Sequence, residues 1–92
     1  MSNEITAIGT IRRARFENDV TGIMEVRHPR HFALAQHFAR QSEAFPALRG
    51  DILDHYFFER PHLSPLFAVD AMVQLVERMV DVMQEQTAQQ AA

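Results

Sequence analysis

The stretch Ser64–Gln84, SPLFAVDAMVQLVERMVDVMQ, is apolar at most positions and polar chiefly at Asp70, Gln74, Glu77, Arg78 and Asp81. At about 100° per residue on a helical wheel, these five polar residues collapse onto one arc about 100° wide. The apolar residues from Ala68 to Met83 fill an arc of about 200° opposite them, twice the width expected of a helix lying on one core. Such a helix must be covered on two sides. Ser64 has the side chain of a good N-cap, and Pro65 suits the first helical position, where a missing N–H is an orphan in any case. A long C-terminal helix is therefore predicted from Ser64. It is expected to fray in the low-complexity tail, and residues 1–4 and 86–92 are read as disordered ends.

Working backwards, prolines at 29, 46, 61 and 65 punctuate the chain. HPRHFALAQHFARQSEAF predicts a helix from about Pro29 to Ala44, with Phe32, Ala35, Phe38, Ala39, Ser42 and Phe45 at three- and four-residue spacing. PALRG reads as a break. DILDHYFFER then repeats the helical pattern with Ile52, Leu53, Tyr56 and Phe57, and Asp51 is a plausible cap or first-turn acid. The first 28 residues are ambiguous. Two short helical stripes fit them, Ile5 with Ile8 and Ile11, then Phe16 with Val20, Ile23 and Met24. A β-hairpin also fits, with Val20, Gly22, Met24 and Val26 alternating and ENDVTG as its turn. The expected fold is a mainly α, single-domain helical bundle over residues 1–92 with a long C-terminal helix. The alternative is α+β, an N-terminal hairpin packed on three helices.

With 92 residues the chain buries about 60–65% of its unfolded surface, so its core is small. A 47% apolar and 23% charged composition is that of a globular protein. With no cysteine there is no disulfide, thiolate chemistry or cysteine-ligated zinc to expect. No secretory leader is read at the N-terminus, and Asp70 interrupts the best apolar run, so a cytoplasmic protein with no membrane span is expected.

Every basic side chain is arginine. Residues 1–50 hold seven arginines against five acids, a net of +2; residues 51–92 hold two against seven, a net of −5; together these give the chain's −3. The molecule is basic at the front and acidic behind.

Candidate chemistry is thin. His28 and His31, and Asp51 with His55, have spacings that attract a metal, but a site needs three or four convergent ligands. His28 also precedes a proline, which biases it away from helical geometry. Glu25 with His28 or Asp54 with His55 could pair as acid and base, yet no serine lies on a nucleophile motif and the glycines form no phosphate loop. No cofactor is expected. Arg12, Arg13 and Arg15 form a basic cluster suited to phosphates or to an acidic protein surface, with Glu17 and Asp19 close behind and a sequence pI near 5.9. Phe58, in a run of three rings that spans about 200° of the wheel, is the best candidate for an exposed aromatic.

The wide apolar arc, with Met72, Met79 and Met83 within about 40° at its middle, points to a second chain as its cover. Met72, Leu75, Met79 and Val82 are the expected dimer interface, and Arg12, Arg13, Arg15 and Phe58 the expected partner-binding residues. The function expected is that of a non-enzymatic protein-binding regulator or inhibitor, of the adaptor or anti-activator type and of a kind mobile elements encode, acting as a homodimer on a larger protein. A nucleic-acid-binding regulator using the same arginines is the alternative, and a small metal-binding or enzymatic protein the third.

Overall fold

A computed structural model describes residues 2–91, with side-chain surroundings described over residues 7–89. The chain forms four helices, α1 (Ser2–Arg27), α2 (Pro29–Gln41), α3 (Ala44–Asp54) and α4 (Pro65–Ala91), and α3 runs on into one π-helical turn, His55–Glu59. No strand occurs among the described residues, so the hairpin alternative for residues 1–28 is not supported. Instead α1 is one continuous helix through Gly9 and Gly22, neither of which has a positive φ. Burial explains why: Val20 and Met24 face the core with Phe16 and Ile23 packed beside them, a spacing of three and four residues that a strand would scatter over both faces.

The helix breaks follow local chemistry. His28, outside helical geometry at φ −134° and ψ 61° before Pro29, ends α1, while its N–H still donates to the Met24 carbonyl at 2.8 Å and its own carbonyl accepts from Phe32 N–H at 2.8 Å. The second break is at Ser42 and Glu43, earlier than PALRG suggested. Pro46 falls in the first turn of α3, where its missing N–H loses no helical bond. Phe45, immediately before it, is fully buried and meets Phe38 with ring centroids 5.9 Å apart. α4 begins as the sequence indicates, with the Ser64 hydroxyl accepting from Leu66 N–H at 3.2 Å.

The core is one cluster: Val20 and Met24 of α1, Ala35 and Phe38 of α2, Phe45 and Leu53 of α3, and Ala68, Val69, Met72, Leu75 and Val76 of α4. Three helices of the same chain therefore cover the first half of the wide arc on α4. Val20, Met24 and Met72 line one cleft, and His31, just past the end of α1, reaches Glu77 of α4 at 3.3 Å. α1 and α4 thus run side by side in the same direction, with the end of α1 level with Val76. In that register the pair spans about 60 Å at about 1.5 Å per residue, which is the long dimension of the molecule, 60 Å against 26 and 20 Å. The two long helices are staggered, and each projects beyond the bundle: α1 at its N-terminal end, α4 at its C-terminal end. From Asp81 to Gln89 every side chain of α4 is exposed, including the stretch that composition marks as a fraying tail.

Candidate functional site

The arginine cluster divides. Arg13 Nε donates to Asp54 Oδ1 at 2.9 Å, and Arg13 lies 3.8 Å from Glu17, which also pairs with Arg49. This chain of charges, Asp54 to Arg13 to Glu17 to Arg49, fastens α1 to α3, and it leaves Arg13 largely covered, with Nη1 shielded from solvent. Arg13 is an internal clamp. Arg12 and Arg15 are exposed on the outer side of the same helix.

By position on the α1 wheel, Ile8, Ile11, Arg12 and Arg15 fall within about 100°, an arc that stops about 40° short of the one through Phe16, Val20 and Met24 that enters the core. Ile8 and Ile11 are 51% and 58% exposed, so this outer stripe alternates bare isoleucine with guanidinium. Phe58 joins its margin. Phe16, one turn on from Arg12, touches Phe57 with ring centroids 5.6 Å apart, and Phe57 meets Phe58 at 4.8 Å. The π-turn, in which Arg60 N–H reaches back to the His55 carbonyl at 3.2 Å, leaves Tyr56 and Phe57 half-buried and turns Phe58 outward at 65% exposure. Arg12, Arg15 and Phe58 therefore share one end of the molecule.

The expected dimer residues are split. Met72 and Leu75 are buried in the chain's own core, Met79 is half-buried and Val82 is exposed. What remains of the arc for another chain lies further along α4, at Val82 and Met83, 46% and 45% exposed. There the open cleft between α2 and α4, about 520 Å³, is lined by Leu34, Phe38, Val80, Met83 and Thr87. Sequence periodicity missed this site because the wheel shows which face is apolar but not how far along the helix the neighbours reach.

The histidines do not converge. His28 and His31 meet edge to face at 6.0 Å, His31 turns to Glu77, and His55 pairs with Glu59 in place of Asp51. Among the described residues no three histidine or acidic side chains cluster as a metal would require, and no helix is long and apolar enough to cross a membrane. A cavity of about 270 Å³ among Val20, Met24, Phe32, Phe45, Leu53 and Met72 is walled mainly by apolar groups. Comparison with protein-family models, with curated proteins and with solved structures finds no match to the chain.

Proposed function

We propose that this chain is a non-catalytic, protein-binding regulator that works as a homodimer and grips an acidic surface with Arg12, Arg15 and Phe58. One observation carries the reading: the outer stripe of α1, together with Phe58, presents apolar and guanidinium groups that the fold itself leaves uncovered. Isolated exposed hydrophobics need no explanation, but a contiguous set beside arginine and an aromatic ring has the composition of an interface centre. Arg13 is excluded from the contact set because α3 already uses it.

The test is capture from the source cell's extract, followed by reconstitution with the purified captured protein. Arg12→Ala with Arg15→Ala, and Phe58→Ala separately, should each weaken the reconstituted complex at least tenfold while far-ultraviolet circular dichroism stays unchanged, since all three side chains lie outside the core. Unchanged affinity in both variants contradicts the assignment. A salt titration against duplex and single-stranded DNA and RNA separates the nucleic-acid alternative, because phosphate-driven binding weakens steeply with salt.

A further inference from the structure

The acidic surface those arginines meet need not be sought far away. Over residues 7–15 α1 carries two exposed arginines, Arg12 and Arg15, beside the clamped Arg13, and no acid, whereas the end of α4 from Asp81 onward carries Asp81 and Glu85 and no base. Arg78, the nearest base on α4, lies a turn further in. Each projection also has bare apolar side chains, Ile8 and Ile11 on the first, Val82 and Met83 on the second, and the α2/α4 cleft opens beside Met83. The two projections sit at opposite ends of a 60 Å rod, so neither can reach the other within one chain.

We infer that two copies of this chain lie antiparallel about a two-fold axis, the α1 end of each seated on the α4 end of the other. This rests on the homodimer reading above and specifies the contact. Reversing one rod against the other brings a basic, isoleucine-bearing helix end onto an acidic, valine- and methionine-bearing one, and the two-fold produces that contact twice. With the rods fully overlapped, Ile11 comes level with Val82 of the second copy and Arg12 with its Asp81. Apolar contact supplies the affinity, while the charges set the orientation, since a parallel pairing would oppose like charges. A closed two-fold also prevents the open chain that a head-to-tail contact would build. Doubling the contact helps small arms approach the roughly 1,000 Å² of buried surface that a specific interface needs. In this dimer Arg12 and Arg15 are taken up by the second copy, which leaves Phe58, at the margin of the stripe, as the part of the contact proposed above that a larger partner can reach, so that Phe58→Ala reports the partner and the arginine variants report the dimer.

The experiment is a charge exchange read by light scattering on a sizing column. One variant carries Arg12→Glu and Arg15→Glu, the other Asp81→Arg and Glu85→Arg; all four positions are exposed, and circular dichroism confirms that each variant folds. Each alone should run as a monomer of about 10.6 kDa. Mixed one to one they should recover twice that mass, because in the mixed pair one contact is reversed in sign and the other is native, so both are attractive. A mixture that stays monomeric, or single variants that still dimerise, overturns this contact while leaving a dimer through another surface standing. A native chain that is monomeric at every concentration overturns the homodimer reading itself.

Discussion

Arg12 and Arg13 are adjacent in sequence and opposite in role, because 100° of rotation carries one into solvent and the other onto Asp54. Arg13→Ala should lower stability by about 1 kcal/mol, a charge-assisted bond reduced by partial solvent screening. Arg12→Ala should change it by less than about 0.5 kcal/mol. Urea unfolding midpoints compare the two, and equal effects would contradict the clamp. The glycines give a second residue-scale prediction. A Cβ at Gly9 or Gly22 would meet nothing within 4 Å apart from its chain neighbours and the backbone of its own helix, and both positions lie inside α1. Gly22→Ala, in the packed half, should stabilise the fold by about 0.5–1 kcal/mol, a rise of roughly 2–8 °C in the melting midpoint. Gly9→Ala, in the projecting half, should raise helicity more than it raises the midpoint. Loss of stability on Gly22→Ala would count against a helical α1.

Among the elements, α3 shows what the sequence conceals. Pro46 and Gly50 look like a loop, yet the first stands in an opening helical turn and the second has open space around it. Phe45 holds this element in place: it is fully buried against Phe38, and Phe45→Ala should cost about 3–5 kcal/mol, whereas Pro46→Ala should be nearly neutral. Denaturant unfolding of the pair tests the placement, and a strongly destabilising Pro46→Ala would put the proline elsewhere. α4 was legible at its start, where Ser64 and Pro65 give both cap and first residue, and in its polar stripe. Its end was not legible, because an arc width cannot reveal that α1, α2 and α3 cover Ala68–Val76 and leave Val82 and Met83 bare. The hairpin competed with a helical α1 for a related reason: Val20, Gly22, Met24 and Val26 satisfy a period of two, and what resolves it is that Ile23 packs with Val20 and Met24 while Val26, which a strand would put on their face, is 82% exposed. Beyond Val80 the chain's own cover on α4 thins to Leu34, His37 and Phe38 at the wall of an open cleft, so amide protection should be high through Ala68–Val76 and lower after it in dilute protein. It should rise over Asp81–Thr87 with protein concentration as a second copy covers that end. Hydrogen exchange at two concentrations checks this, and concentration-independent exchange there would remove that end of α4 from the contact.

At the scale of the whole molecule, the sequence already showed a charge asymmetry between its halves, and the stagger of α1 and α4 turns that asymmetry into geometry by placing arginines at one tip and acids at the other. The core is small, drawing on α1 from Val20 and on α4 as far as Val76, so both tips of the 60 Å molecule lie beyond its buried residues. The measurement that bears most directly on this account is the solution mass of the native chain by light scattering, beside a variant carrying Ile11→Glu and Met83→Glu. These exposed positions can be changed without entering the core, unlike Met72 or Leu75. The account predicts about twice 10.6 kDa for the native chain and a folded monomer for the variant. A native chain that remains at 10.6 kDa over the accessible concentration range would contradict it.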